Sequence, residues 1–458
     1  IGESDLLNPK GAAMGVITTT RTVYSSQNRK INKSFMTNVL GKHENGRRIT
    51  IGEALQLAKN DVVTSIRSAR DSLNKCHFVL LGDPAISLSL PTYKANVDVF
   101  GTSSSADSET PLVSAGNVIT VKGHIVDEGG NVATDFTGTV SPVVYDNIEH
   151  VVCKNGADAD IPSPMDYYER LKVLYAGQDS VRNGRFEFRF PVPLDINYSN
   201  ESGLLKLYAV NTDHSIEANG DYDKFLVGGT MNGLKTDSVG PQISFYLNKE
   251  SFVSGDKVNE SPLLFATITD SDGINTTGSG VGHDLIAVVD NEETMTYNLN
   301  SYFVPKAGDY TQGSVAYKLP TLPVGKHTIM LQAWDILNNP TTKTLEFEVV
   351  EGLAPTVFSL TCNSPVRSTA TFSLTVDRAY SEIKAKVVVY DMLGREVVVL
   401  DGSDDSRTNI YTYSWNLDMT DRHLQPGIYI AKAYITDENG GRTSKAVKFV
   451  ALGTSSAE

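Results

Sequence analysis

The run Gly11-Ala-Ala-Met-Gly-Val-Ile-Thr-Thr-Thr20 is short, small and apolar, with no polar alternation. Such a run suits a strand covered on both faces in a parallel sheet. A parallel strand needs a helical crossover, and Ile51 to Leu73 offers one, with Ile51, Ala54, Leu55, Ala58, Val62, Ile66, Ala69 and Leu73 recurring at intervals of three and four. Thr50 and Glu53 mark its start as a capping box, each side chain able to satisfy a free backbone N–H. Phe78-Val-Leu-Leu81 reads as the next buried strand, ended by Gly82-Asp83-Pro84. Strand, crossover and strand predict a parallel unit over residues 1–91. Two strands alone leave faces and edges uncovered, so further strands are expected upstream of Ile1.

Beyond Pro91 the pattern changes to short β-rich runs separated by Gly, Asn, Asp and Pro, which predicts antiparallel β-sandwiches of Ig-like type. The first covers 92–239 and contains Val118 to Val126, Leu204 to Val210 and the alternating Arg185-Phe-Glu-Phe-Arg-Phe190. Period two places Phe186, Phe188 and Phe190 inside and Arg185, Glu187 and Arg189 in water. The second covers 240–351, with strands at Ile243 to Tyr246, Leu263 to Thr269 and His327 to Trp334, and a turn at Asp335 to Asn339. The third, 352–458, carries two hairpins of one style, turning at Asp391-Met-Leu-Gly394 and Asp437-Glu-Asn-Gly-Gly441.

At 458 residues the chain has room for three or four domains, and its net charge of −14 with no basic stripe argues against nucleic acid as a partner. No apolar run approaches the ~20 residues of a membrane-spanning helix. Cys76, Cys153 and Cys362 fall in three different domains, which predicts buried, unpaired thiols rather than a disulfide framework.

Val389-Tyr-Asp-Met-Leu-Gly-Arg-Glu-Val397, Leu424-Gln-Pro-Gly-Ile-Tyr429 and a final Lys-Ala-Val-Lys-Phe strand resemble the C-terminal signal domain of bacterial type IX secretion cargo. Asn8-Pro-Lys-Gly to Arg21, and Phe78-Val-Leu-Leu-Gly-Asp-Pro-Ala-Ile86, resemble the last part of the gingipain-like cysteine peptidase domain, a caspase-like α/β fold. Together they resemble the C-terminal portion of a type IX secretion sortase. The resemblance implies a peptidase or transpeptidase at the outer-membrane surface that removes cargo signal domains and joins cargo to anionic lipopolysaccharide. A Cys thiolate would attack the peptide carbonyl, a His would move the proton and backbone N–H groups would hold the oxyanion. In the family both catalytic residues precede the Asn-Pro-Lys-Gly segment, so none is expected in this chain. The implied partners are the upstream peptidase segment, an outer-membrane β-barrel protein reached through the terminal domain, other attachment-complex proteins and cargo C-terminal domains. The terminal domain reads either as a signal to be removed or as a retained docking module.

By the same resemblance, and because ligands bind beyond the carboxyl ends of strands in α/β sheets, Thr20, Arg21 and Tyr24 are candidates for the wall of the substrate pocket. The alternative is that Arg21 caps the sheet edge or pairs with a carboxylate. The segment lacks the tryptophan that gingipains place after it, so arginine- or lysine-directed cleavage is not implied. Cys76 and His77 resemble a dyad on paper, but neighbours on a strand point to opposite faces, and Cys76 reads as structural. His43, His124, His150, His214, His283, His327 and His423 are scattered without H-E-x-x-H or C-x-x-C spacing, which argues against zinc. Asp270-Ser-Asp-Gly-Ile-Asn275, with Asp284 beyond, begins like a calcium loop, but Val281 stands where an EF-hand needs a glutamate. Asp270, Asp272 and Asp284 are therefore either calcium ligands in a sandwich loop or turn-forming aspartates; no other cofactor is expected. A second functional class remains open, a non-enzymatic surface adhesin or carbohydrate-binding cargo of the same route.

Overall fold

The computed structural model describes residues 2–7, 13–62, 69–102, 110–153, 165–234, 237–278, 282–404, 409–416 and 426–452. Strands take up 52% of the chain and helices 11%, so the protein is mainly β. It divides into two units, Ile1–Pro91 and Thr92–Glu458.

In the first unit α1 (Gly2–Leu6) and β1 (Gly15–Thr19) are followed by α2 (Ser25–Val39), α3 (Ile51–Asp61), α4 (Ala69–His77) and β2 (Phe78–Gly82). The capping box is present: Thr50 Oγ1 accepts from the Glu53 N–H at 3.2 Å, and Glu53 Oε2 accepts from the Thr50 N–H at 3.0 Å. Ile51, Ala54, Leu55 and Ala58 form the buried face of α3. The chain after β2 straps the start of this helix, because Ile51 N donates to Ile86 O at 2.8 Å and Gly52 N to Pro84 O at 3.0 Å. The approach demands glycine: a Cβ at Gly52 would lie 2.6 Å from Pro84 Cβ.

Three expectations are corrected here. β1 and β2 pair antiparallel, from Gly15 opposite Gly82 to Thr19 opposite Phe78. The parallel rule takes one crossover helix that returns the chain to the start of the first strand. Here three helices intervene, and α4 passes into β2 without a loop, so β2 starts where β1 ends and Thr20 N donates to His77 O at 2.9 Å. The two strands are half-buried along most of their length rather than enclosed. The single helix expected over Ile51 to Leu73 is replaced by α3 and α4, with 63–68 outside the described residues.

In the second unit the first β domain closes on itself. The ladder runs through Asp179–Arg182, Arg185–Pro191, Val118–Val126, Tyr93–Gly101, Glu217–Tyr222, Leu204–Asn211 and Gly138–Tyr145, and returns from Gly138–Tyr145 to Asp179–Arg182. Where a two-sheet sandwich was expected, seven strands of one sheet pair into a ring, with a separate three-stranded sheet of Glu201–Ser202, Leu226–Thr230 and Leu112–Ala115 in the same domain. The strand that closes the ring, Asp179-Ser-Val-Arg182, is too short and too polar to announce itself by alternation. Phe186, Phe188 and Phe190 point inward as expected, and Phe190 stacks on Tyr175 with centroids 5.6 Å apart.

The second domain packs a four-stranded sheet (Gln242–Leu247, Leu263–Thr269, Asp309–Lys318, Phe303–Lys306) and a five-stranded one around one core. The third packs Val357–Cys362, Thr369–Val376 and Ile410–Asn416 against a four-stranded sheet in the order Glu396–Asp404, Ile383–Tyr390, Gly427–Asp437, Arg442–Ala451. Its hairpins turn where expected, with Gly394 at φ +79 and the Asp391 carboxylate accepting from the N–H of Leu393 and of Arg395, both at 2.9 Å. Arg378 is 2% exposed and is held by Asp377 Oδ1 at 2.8 Å and Asp437 Oδ2 at 3.1 Å. Its third nitrogen donates to Leu353 O in the linker at 3.0 Å.

Candidate functional site

The segment that leaves β1 is clamped at both ends by α4. At its start the backbone N–H and hydroxyl of Thr20 both donate to His77 O, at 2.9 and 3.4 Å. At its end Tyr24 N donates to Asn74 Oδ1 at 2.9 Å. Asn74 is 2% exposed and is itself oriented by a bond from its Nδ2 to Asn28 Oδ1 at 3.1 Å. Thr20, Arg21 and Tyr24 therefore lie on one anchored stretch with their side chains at the surface, Tyr24 being 52% exposed. No carboxylate lies within ion-pair range of Arg21 among the described residues. The arrangement presents a guanidinium and a phenol on a fixed backbone, which suits contact with an extended polar chain. Asn74 was not singled out from sequence; its signal, a polar residue at a buried helix position, is visible only once α4 is placed.

Cys76 and His77 lie on α4, not on a strand, and Cys76 is exposed rather than buried. No hydrogen bond joins a cysteine to a histidine ring among the described residues. All three thiols are unpaired; burial pushes the half-buried Cys362 up to about 11. The histidines take separate carboxylates: His124 meets Asp98 at 2.8 Å, His150 meets Asp166 at 2.9 Å, His283 meets Asp195 at 2.8 Å and His327 meets Asp290 at 2.6 Å. His43 joins Arg47 on Glu53, whose carboxyl is lowered to about 2, mainly by the Arg47 guanidinium. His214 lies in a turn at φ +59, and His423 falls outside the described residues.

Among the described residues no three metal-ligating side chains gather. Asp270 Oδ1 accepts from the N–H of Asp272 at 2.8 Å and of Gly273 at 3.2 Å, the geometry of an aspartate turn. Burial, reinforced by Asp335, raises the Asp270 carboxyl to about 6. Asp284 instead accepts from Asn300 Nδ2 at 2.6 Å, and Val281 is outside the described residues. A polar junction between the first and second β domains escaped sequence reading. Asp195 accepts from Asn275 Nδ2 and His283 Nδ1, both at 2.8 Å, and from Asn338 Nδ2 at 2.9 Å.

Residues 1–89 match the model of peptidase family C25, the gingipain-like cysteine peptidases. The anchored segment and α4 both fall within that match. Over 96% of its length the chain is 31% identical to dimeric latent PorU from Porphyromonas gingivalis, with a TM-score of 0.39, and it spans 41% of that chain. The chain is thus similar in sequence to PorU, and its first 89 residues are similar to gingipain-like peptidases. Tetra-tandem repeats of a large adhesion protein (12% identity, TM-score 0.20, 78% of this chain and 74% of that one) are too distant to inform function. The same holds for Escherichia coli alpha-2-macroglobulin (9%, 0.19, 78% and 32%). Comparison with curated proteins gives no match.

Proposed function

We propose that this chain is the C-terminal portion of a cysteine peptidase or transpeptidase of the outer-membrane surface, which removes the C-terminal signal domain of type IX secretion cargo and helps attach the cargo to anionic lipopolysaccharide. The observation that carries the reading is the family C25 match over residues 1–89, in a chain 31% identical to PorU over 96% of its length. In this reading the nucleophilic Cys and the His lie upstream. The first unit supplies scaffold, and Thr20, Arg21 and Tyr24 form part of the cleft wall. The first two β domains set spacing, and the third docks the enzyme onto a PorV-like β-barrel partner beside the other attachment proteins. No helix among the described residues is long and apolar enough to cross a membrane.

The chemistry needs little more from this chain than position. A tetrahedral intermediate forms and collapses within ångströms of the cleft wall, so a wall held at both ends by α4 keeps a bound peptide in register. The test uses the full-length enzyme and a cargo protein bearing its signal domain. Arg21→Ala and Tyr24→Ala should raise KM with kcat largely retained, while the 458-residue chain alone should show no turnover. Turnover by the chain alone would refute the assignment of the nucleophile upstream; unchanged KM in both variants would remove the cleft wall from this segment.

A further inference from the structure

The terminal four-stranded sheet has an outward face whose polarity changes along the strands. At one end the hairpin tip Asp391–Gly394 carries Met392 and Leu393, 61% and 79% exposed. Turn tips are ordinarily polar, because the backbone there meets water. The first row behind that tip is Ile428 opposite Val450, both 38% exposed. The next row sets Lys448 opposite Ile430, and Ile430 opposite Tyr390. Behind it lie Lys432 and Val388, then Lys386 opposite Tyr434, and last Lys384 opposite Thr436 and Arg442. Val388 is 2% exposed yet stands outside the domain core, buried beneath its outward neighbours. Lys432 sits over the Tyr434 ring at 4.7 Å, and the Tyr390 and Tyr434 hydroxyls lie 3.4 Å apart.

The face is therefore apolar at the tip, mixed with tyrosine in the middle and cationic beyond. Five cations stand on it, Lys384, Lys386, Lys432, Arg442 and Lys448, against the carboxylates of Glu396 and Asp401, on a chain whose net charge is −14. At ~3.3 Å per residue the Lys448 and Lys432 rows lie roughly 7 and 13 Å behind the apolar tip, the nearer at the depth of headgroup phosphates above inserted side chains and the farther within reach of them along its aliphatic stem. Tyrosines favour that boundary, and lysines reach it along their aliphatic stems. We propose that this end of the terminal sheet is a lipid-docking surface, with Met392 and Leu393 entering the acyl region of an anionic lipid layer and the lysine rows engaging its phosphates. The acidic remainder of the chain is repelled by the same layer, which fixes the sheet tip-down. The proposal is independent of the upstream chemistry and of any protein receptor.

The intact chain is tested by flotation with protein-free vesicles, one set of phosphatidylcholine alone and one with about one third phosphatidylglycerol. Binding is expected to the anionic set and to fall as salt rises. Lys432→Glu with Lys448→Glu should weaken it about thirtyfold or more, taking each lysine at an anionic surface together with the tenfold rule for affinity. Met392→Ser with Leu393→Ser should weaken it about tenfold. A Leu393→Trp variant should shift its emission to the blue on anionic vesicles, and unchanged melting temperatures certify the folds. Equal binding to both vesicle sets, indifference to the lysine reversals, no blue shift, or binding only to membranes that contain protein would each overturn the proposal. The last outcome would assign the face to a protein receptor.

Discussion

Replacing Arg378 by methionine should unfold the terminal domain at much lower denaturant while sparing its neighbours. The guanidinium is 2% exposed and meets Asp377 Oδ1 at 2.8 Å and Asp437 Oδ2 at 3.1 Å, both carboxylates being themselves buried. Neither aspartate would be orphaned entirely, because Thr356 N still donates to Asp377 Oδ1 at 2.7 Å and Gly441 N to Asp437 Oδ1 at 2.7 Å. Two buried anions would nonetheless lose their counter-ion, and breaking a buried pair from one side costs about 3–5 kcal/mol. Against the ~5–15 kcal/mol typical of a whole domain, that is about a fifth of the margin or more. With a urea dependence of roughly 1–2 kcal/mol per molar for a domain this size, the midpoint should fall by about 1.5–5 M. The chain has two tryptophans, Trp334 in the second β domain and Trp415 in the third, so a Trp334→Phe background leaves Trp415 as the sole reporter of the domain concerned. Adding Asp377→Asn and Asp437→Asn to Arg378→Met removes the uncompensated charge and should recover more than half of the loss. A midpoint shift under about 0.5 M, or no recovery in the triple variant, would refute the charge argument.

Gly52→Ala should destabilise the first unit by about 1–3 kcal/mol, since the new methyl would press on Pro84 Cβ at 2.6 Å and on the Pro84 carbonyl oxygen at 2.9 Å; thermal melting of the whole chain reads it. Asp195→Ala removes the shared acceptor of Asn275, His283 and Asn338 and should cost about 2 kcal/mol at the junction, seen as faster proteolysis between the first two β domains. Asp270, raised from its ordinary 3.8 to about 6, retains its proton in the folded state at a pH where the unfolded chain has released it. Its contribution to stability is thus full below about pH 4 and lost as pH rises through about 6, by under about 1 kcal/mol once solvent screening at this half-buried site is allowed for. Asp270→Asn should flatten that slope in pH-dependent denaturation curves.

The β domains were legible because their inward faces obey a period of two: Arg185 to Phe190 alternates buried and exposed without a break. Thr50 and Glu53 were legible for a similar reason, since a capping box is contained within four residues. What escaped depends on partners distant in sequence. The antiparallel register of β1 and β2 follows from the route of three helices, and no local pattern encodes it. Asp195 reads as an ordinary loop aspartate until Asn275, His283 and Asn338 arrive from the next domain. At the candidate site Thr20, Arg21 and Tyr24 were found through resemblance, while Asn74, which anchors them, had no such signal.

The ring in the first β domain has a consequence for the order in which that domain forms. Its first strand, Tyr93–Gly101, has as one neighbour Glu217–Tyr222, among the last strands of the domain to leave the ribosome, and the parallel contact rests on two residue pairs. The other seam, Asp179–Arg182 against Gly138–Tyr145, holds by three. The seven-pair ladder of Arg185–Pro191 on Val118–Val126 and the seam between Asp179–Arg182 and Gly138–Tyr145 can both form once residue 191 is present, but the parallel seam waits for the chain beyond residue 217. The ring is therefore completed last at its parallel seam. A chain cut before that point would leave one edge of Tyr93–Gly101 without its strand partner, and the long sequence separation of this pairing gives it the slow formation expected of non-local β contacts.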